Sequence, residues 1–364
     1  MSAERSMIAV ERALAEFRAG RPVFVVDGAD AALVACAEAI EPPLAALIED
    51  FARGQARLVL PAARLRRLGL ERAQAGVVAL PTIDVARIAT LVLHLDARID
   101  APVAPAAPLD HAGLELSALA LVLPPVVVAP AAGRPAPADV LTVSAADIRD
   151  FRAANVRELR LVARAPVPLE GATQTEFVVF RGGEGMRDQV AIVVGRPDVA
   201  QPVAVRLHSA CLTGDLFGSL KCDCGDQLRS TVRWMAENGG GVLLYLDQEG
   251  RGNGIANKMR AYRLQAQGFD TYDADEMLGF ENDQRRFDFA AEMLKQLGVS
   301  RVRIMTNNPI KMAAMTAAGL EIVEDKRVIG RPTAHNVSYL ASKRDRAGHF
   351  IDVEALAAQA PIDG

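Results

Sequence analysis

Three of the chain's four cysteines lie within fourteen residues of one another, in the segment RLHSACLTGDLFGSLKCDCGDQL. Cys211, Cys222 and Cys224 follow the spacing C-x10-C-x-C. Thiolates are the ligands that zinc and other soft cations prefer in proteins. Three protein ligands leave the fourth tetrahedral position to water, which is the arrangement of a catalytic zinc site. The spacing therefore predicts a zinc site with one open position.

Two other arrangements could use the same residues. Two of the cysteines could form a disulfide, or His208 could complete a closed structural zinc site. The start of the chain carries interspersed acids and no long apolar run, so we expect no signal peptide and a reducing cytoplasm, where thiolates can serve a metal. Cys36, the fourth cysteine, is expected to be a buried small hydrophobic residue.

Three further segments carry polar groups with a potential for chemistry. LYLDQEGRGNGIANKMRAY surrounds its glycines with polar and charged side chains, namely Gln248, Glu249, Arg251, Lys258, Arg260 and Tyr262. Glycines permit close backbone approach to a ligand, and cations suit phosphate. The alternative is a solvated helix start with ordinary surface charges. TNNPIK follows the strand-like RVRIM, and strand ends are common ligand positions in α/β proteins. GFENDQRRF offers Asp283 and Arg285, which alone are indistinguishable from surface charge.

The elements around these segments alternate between strand and helix. RLVARAPVPL, TEFVVF, QVAIVVG, PVAVRLHS, GVLLYL, RVRIM and LEIVED are typical of strands. GDQLRSTVRWMAE, DFAAEMLKQLG and PIKMAAMTAAGL are typical of helices. The first hundred residues also alternate, with VERALAEFRAG predicted as a helix and RPVFVVDG, ARLVLP and GVVALP as strands. We therefore predict an α/β (α+β) protein of two domains, each a mixed sheet with packed helices.

Eight of the 20 prolines lie between positions 102 and 137. Such a density predicts a break in regular structure, either a domain seam or a long surface segment. After it, Ser144 with Asp147 three residues later predicts a helix start. The net charge of −4 gives no basic field for nucleic acid, and the most apolar stretch is too short to span a membrane. We therefore expect neither nucleic acid nor a membrane as a partner.

The cysteine segment, QEGRGNGIANKMRAYRLQAQGFDTYDA, LGFENDQRRF and TNNPIK together resemble bacterial GTP cyclohydrolase II, over about residues 157–350. The resemblance implies hydrolysis of GTP to 2,5-diamino-6-(5-phospho-ribosylamino)pyrimidin-4(3H)-one, formate and pyrophosphate, the first step of riboflavin biosynthesis. It also implies one Zn²⁺ per subunit, Mg²⁺ with the triphosphate, and a homodimer.

The resemblance transfers roles position by position. Cys211, Cys222 and Cys224 match the zinc ligands, Asp283 the proton acceptor, and Tyr262 an active-site tyrosine. Arg285 matches a nucleophile toward the α-phosphorus, but a guanidinium stays protonated at neutral pH, so electrostatic stabilisation is the alternative that we favour. The residues that match GTP contacts are Arg206, Leu207, His208, Ser209, Ala210, Gln227, Glu249, Gly250, Arg251, Thr271, Thr306 and Lys311.

Four positions depart from the family pattern without removing a ligand or a named catalytic group. They are Ala210, Asp247, Asn253 and Arg286. Because they adjoin the predicted pocket, two other functions stay open. One is a diverged paralogue that stops at the formamide intermediate, and the other is a non-catalytic zinc protein that binds nucleotides.

Residues 1–150 resemble 3,4-dihydroxy-2-butanone-4-phosphate synthase, through VERALAEFRAGRPVFVVDGADA, LPAARLRRLGL and LTVSAADIRDF. Asp27 and Asp30 remain in the loop after RPVFVVD, but the run of glutamates and the histidine motif are absent. We therefore expect a degenerate, inactive domain, kept for packing, dimerisation or regulation. The expected domains are residues 1–150, the catalytic domain 157–350, and a tail, 351–364.

Overall fold

The computed structural model describes residues 3–184, 187–281, 284–328, 330, 333, 336, 340–341, 344–346 and 348–351. The strands are β1 (Val23–Asp27), β2 (Asp30–Cys36), β3 (Ala56–Leu60), β4 (Gly76–Leu80), β5 (Val103–Pro105), β6 (Val126–Pro130), β7 (Thr142–Ser144), β8 (Arg160–Pro166), β9 (Thr175–Arg181), β10 (Asp188–Val194), β11 (Val203–Ser209), β12 (Gly241–Leu246), β13 (Arg301–Met305) and β14 (Glu321–Lys326).

The α-helices are α1 (Ala3–Arg18), α2 (Pro42–Ala52), α3 (Ala62–Arg67), α4 (Val85–Leu93), α5 (Pro108–Ala120), α6 (Ala145–Arg157), α7 (Leu212–Asp215), α8 (Cys224–Glu237), α9 (Ile255–Gln265), α10 (Thr271–Met277), α11 (Asp288–Gln296) and α12 (Pro309–Ala317). Two 3-10 turns cover Ala37–Ala39 and Glu249–Gly252. Within the described part of the chain, every helix is too short or too polar to span a bilayer.

The chain forms two compact units. The first contains Met1–Ala154 and Asn253–Gln284, and the second contains Asn155–Gly252 and Arg285–Gly364. Each unit's described residues hold one seven-stranded mixed sheet with packed helices. This confirms the predicted fold class.

The sheet of the first unit has the order β5-β4-β3-β6-β2-β1-β7, and its pairs are antiparallel except for β1 with β7. Both of its faces are covered. Phe24 and Leu33 point into one hydrophobic core, whereas Val25 and Val34 point into the other. This two-sided burial explains why strands such as VFVVD read as continuous apolar runs.

The proline-rich segment is not a break in structure, so that prediction was wrong. It contains β5, α5 and β6, and Val126, Val127 and Val128 of β6 are fully buried at the centre of the sheet. Pro108 is the first residue of α5, where a missing backbone donor costs nothing, and Pro105 and Pro130 end their strands. The prolines therefore mark the ends of elements.

Helices α9 and α10 belong to the first unit although they come late in the chain. The Arg64 side chain is fully buried and donates to the carbonyl oxygens of Leu91 (2.8 Å), Met277 (2.8 Å) and His94 (2.7 Å). Its neighbour Arg66 forms an ion pair with Glu276 at 2.9 Å. The arginines of α3 thus hold the C-terminal end of α10.

The sheet of the second unit has the order β14-β13-β11-β12-β10-β9-β8. Strands β11, β12, β13 and β14 are parallel neighbours, whereas β8, β9 and β10 are joined by antiparallel pairs. Parallel strands end at the same edge of a sheet. The chain therefore brings the segments that follow Ser209, Leu246 and Met305 to one edge.

Candidate functional site

The three clustered cysteines meet at the end of β11. Cys211 precedes α7, Cys222 lies in the following loop, and Cys224 is the first residue of α8. Their sulfur atoms all lie within 4.8 Å of one another, and the Sγ atoms of Cys211 and Cys222 are 3.6 Å apart. Tetrahedral zinc with bonds of about 2.3 Å requires sulfur atoms about 3.8 Å apart. The cluster can therefore hold a metal ion of this kind.

Gly214 makes room for this cluster. A Cβ atom at this position would lie 2.7 Å from Sγ of Cys222 and 3.1 Å from Sγ of Cys211. All four cysteines of the chain are free, so the disulfide alternative is not observed. The adjacent thiol of Cys211 raises the pKa of Cys222 to about 11. Metal binding by such a thiol releases its proton.

His208 is engaged elsewhere than with the thiols. Its Nε2 atom lies 3.0 Å from Oδ1 of Asp215, and its ring stacks on Tyr245 with centroids 5.6 Å apart. Burial lowers the pKa of His208 below its usual value. Within the described residues the group with metal-ligand potential consists of the cysteines alone, which favours the open site over a closed site completed by His208.

A chain of hydrogen bonds connects β11 to the loop between the last two cysteines. The Nη2 atom of Arg206 donates to Gln227, and the amide of Gln227 donates to Asp223. Arg206 also donates to the carbonyl oxygen of Met305 at 3.1 Å. Burial lowers the pKa of Arg206 to about 10, and its Nε atom is buried without a hydrogen-bond partner in the described structure. The guanidinium is therefore positioned and incompletely satisfied.

The segment after β12 closes over the first cysteine. Oε2 of Glu249 accepts a hydrogen bond of 2.6 Å from the backbone N–H of Leu212. Gly250 and Arg251 both have φ of 60°, in the left-handed region. A non-glycine residue there is strained, and such strain often accompanies a functional loop. Glu249 thus orients the metal-ligand loop in addition to its predicted contact with GTP.

Two cations lie near the same aromatic ring. Nζ of Lys311 donates to the carbonyl oxygen of Leu207 at 2.7 Å and lies 5.3 Å from the ring centroid of Phe287. The guanidinium of Arg285 lies 5.8 Å from this centroid and donates to Oγ of Ser209 at 3.3 Å. The structure therefore brings Lys311, Arg285 and β11 together. Thr306, at the end of β13, is buried in this unit.

Two other predicted site residues belong to the first unit, and a third is not described. Tyr262 lies on α9 and Thr271 begins α10, both in the first unit. Asp283 lies outside the described residues. Ala210, a departure from the family pattern, uses its backbone N–H in a hydrogen bond of 2.8 Å to Leu246.

Sequence reasoning missed Asp215 and Glu184, two side chains that organise the site. Asp215 contacts His208, Tyr245 and the backbone of Cys211. Gln248 donates to buried Glu184 at 2.7 Å. The position of Asp215, four residues after Cys211, was a signal for a capped turn, whereas nothing in the sequence connects Gln248 to a residue 64 positions away.

Comparisons with known proteins identify the family of the chain. The family model described as GTP cyclohydrolase II matches residues 160–327. A GTP cyclohydrolase-2 from Xylella fastidiosa (strain Temecula1 / ATCC 700964) is 45% identical over 353 residues, covering 96% of this chain and 89% of that protein. A GTP cyclohydrolase-2 from Azospirillum brasilense is 49% identical over 248 residues, covering 66% and 64% respectively.

Among solved structures, a two-domain 3,4-dihydroxy-2-butanone 4-phosphate synthase from A. baumannii matches with a TM-score of 0.35 and 18% identity, covering 88% of this chain and 99% of its own. The kinship of the first unit with that synthase stays a prediction. The alignment with the Xylella protein, by contrast, extends over both units at high identity. This chain therefore belongs to the GTP cyclohydrolase II family of enzymes.

Proposed function

We propose that this protein hydrolyses GTP to 2,5-diamino-6-(5-phospho-ribosylamino)pyrimidin-4(3H)-one, formate and pyrophosphate, as the first step of riboflavin biosynthesis. The observation that carries the proposal is the group of three thiols with metal-binding separation at the end of β11, beside the positioned Arg206. GTP is inferred as the substrate from the family, and the thiols would hold the metal needed to open the imidazole ring of guanine.

Cys211, Cys222 and Cys224 would hold Zn²⁺, which when bound supplies a water molecule acidic enough to act as hydroxide near neutral pH. Gly214 keeps the space between the sulfur atoms clear. The Glu249 carboxylate holds the backbone of Leu212, so the ligand loop keeps its shape while substrate binds. With the metal bound, these residues would hold the water in position for attack on C8 of guanine.

The cationic side chains would act on the phosphate groups of GTP. Arg251, Arg285 and Lys311 would stabilise the negative charge that develops as pyrophosphate leaves, with Mg²⁺ on the triphosphate. Lys311 and Arg285 share the ring of Phe287, which orders both side chains. We assign Arg285 an electrostatic role because a guanidinium is a poor nucleophile while protonated. Asp283, as proton acceptor, and Tyr262 complete the proposed catalytic set.

The remaining proposed GTP contacts are Arg206, Leu207, His208, Ser209, Ala210, Gln227, Glu249, Gly250, Thr271 and Thr306. Support for most of them comes from their position on β11 or at the neighbouring strand ends. We propose 157–350 as the catalytic domain and a homodimer as the assembly, both from the family resemblance.

We further propose that the first unit lacks synthase activity. Its cavity of about 320 Å³ is lined by Asp27, Asp30 and Arg57, among others. Arg57 pairs with buried Asp110 at 2.7 Å, and Asp27 faces Arg149 at 3.4 Å. A carboxylate engaged by an arginine is a weak ligand for Mg²⁺, which binds through carboxylate oxygens.

The test is incubation of the zinc-loaded protein with GTP and Mg²⁺, with formate, pyrophosphate and pyrimidine quantified together. Equal amounts of all three are expected. Pyrophosphate without formate would replace the proposal with a paralogue that stops at the formamide. GTP binding without any product would leave a nucleotide-binding zinc protein instead.

A further inference from the structure

The carboxylate of Asp215 is the meeting point of three elements. It accepts hydrogen bonds from the hydroxyl of Tyr245 (3.0 Å) and from the backbone N–H of Cys211 (2.9 Å), and Nε2 of His208 lies 3.0 Å from its Oδ1 atom. Its side chain is only 6% exposed. Strands β11 and β12 and the turn of α7 therefore converge on one buried acid.

This arrangement determines which nitrogen of His208 carries the proton. An ionised carboxylate only accepts hydrogen bonds, so Nε2 must donate to Asp215. In a neutral imidazole the other nitrogen, Nδ1, is then the acceptor. The stack of His208 on Tyr245, with an interplanar angle of 17°, restrains the plane of the ring. Together the two contacts specify both the tautomer and the orientation of the ring.

The same carboxylate also orients a metal ligand. Because Asp215 binds the N–H of Cys211 and donates its own N–H to the carbonyl of Cys211 at 2.7 Å, the turn that carries this thiol closes on the acid. A movement of the carboxylate would displace Cys211 and His208 together. The two residues are thus coupled through Asp215.

We infer that Asp215 is a positioning residue that sets the tautomer of His208 and the orientation of Cys211 for the proposed reaction. The inference rests on the proposed function for its kinetic part only. Outer partners of metal ligands typically change metal affinity or activity by about 10- to 100-fold when they are replaced. A residue needed only for packing would change stability without affecting the tautomer.

The experiment compares Asp215→Asn with Asp226→Asn in the full-length protein. Asp226 is a matched control. It too is an aspartate shortly after a cysteine of the cluster, but it forms an exposed pair with Arg229 at 3.1 Å. Long-range ¹H–¹⁵N correlation spectra report the protonated ring nitrogen of His208, and competition with a chelator reports zinc affinity. The kcat and KM for GTP are measured alongside.

For Asp215→Asn we expect the Nδ1–H tautomer to become populated and zinc affinity and kcat/KM each to fall about 10- to 100-fold. Tyr245→Phe, which keeps the stack but removes one donor, should shift the same quantities less, and Asp226→Asn should leave them unchanged. Retention of the Nε2–H tautomer and of zinc affinity within twofold in Asp215→Asn would overturn the inference. If wild-type protein does not turn over GTP, the proposed function fails, while the spectra and zinc titrations still decide the role of Asp215.

Discussion

The two units share an architecture but use their charged residues differently. In the first unit, Arg57 of the cavity pairs with Asp110, whose second oxygen also accepts from the N–H of Ala107 at 2.7 Å, and Asp27 of the cavity faces Arg149. In the second unit, thiols and cations converge where parallel strands end. The comparison teaches that a seven-stranded mixed sheet does not itself create a site. The residues that follow the strand ends do so.

The units also differ in what buried arginines do. Arg64 of the first unit binds three backbone carbonyls and thereby holds α4 and α10, which is a structural role. Arg206 of the second unit binds Met305 and Gln227 and keeps one buried N–H without a partner in the described structure. A satisfied buried arginine is a packing element, whereas an incompletely satisfied one is a candidate for ligand contact.

The largest expected difference between the units is in the effect of removing a cysteine thiol. Cys222→Ser is expected to abolish stoichiometric zinc binding and lower formate release by about 10³-fold or more, because the attacking water then keeps its high pKa. Metal analysis and formate quantification measure both effects. Cys36→Ala, a change to the buried cysteine of the first unit, should leave both unchanged. Zinc retained at full stoichiometry in Cys222→Ser would contradict the proposed ligand set.

Loss of the buried arginine should destabilise the first unit. Arg64→Met leaves three carbonyl oxygens without their donor, which we expect to cost about 3 kcal/mol of unfolding free energy. Urea unfolding gives the stability, and hydrogen exchange should show lost protection in α10. Arg66→Met is the control, since its partly exposed ion pair contributes about 1 kcal/mol at most. Equal stabilities for the two variants would refute the structural role of Arg64.

Acidification should weaken the second unit through His208. Burial lowers the pKa of this histidine in the folded state, so the unfolded chain binds more protons as pH falls below about 6.5. The stability contribution of neutral His208 is therefore present above this pH and is lost below it. Unfolding measured from pH 7.5 to 5 should show a smaller pH dependence in His208→Gln than in wild type. The exposed His111 of the first unit provides the control variant, His111→Gln, for which the wild-type dependence should persist.

The last prediction is that the first unit has no synthase activity. Ribulose 5-phosphate with Mg²⁺ should give no dihydroxybutanone phosphate above background, because Asp27 of the first cavity faces Arg149 and the run of glutamates expected beside it is absent. Product detection by coupled chromatography measures this. Clear turnover that disappears in Asp27→Asn would show that both units are active.

Much of the fold and part of the site could be predicted from local patterns. Strands such as RVRIM and helices such as PIKMAAMTAAGL are confirmed. They could be predicted because the spacing of their apolar residues follows the side of the element that is buried. The proline-rich segment was misread, because a proline can mark the end of a helix or strand as readily as the end of a domain, and the local sequence does not distinguish the two. The roles of the predicted site residues stay proposals.

The sequence by itself was enough to predict the cysteine group that could hold a metal ion and to identify the family. Three cysteines within fourteen residues can meet after a single turn of the chain, and ordered motifs carry over between relatives. Only the tertiary structure decided that Asp215 joins His208 to Cys211, that Phe287 orders Arg285 and Lys311, and that α9 and α10 pack with the first unit. Those contacts join residues that are distant in sequence or on different elements. They depend on strand order and on the packing of side chains, which no local pattern encodes.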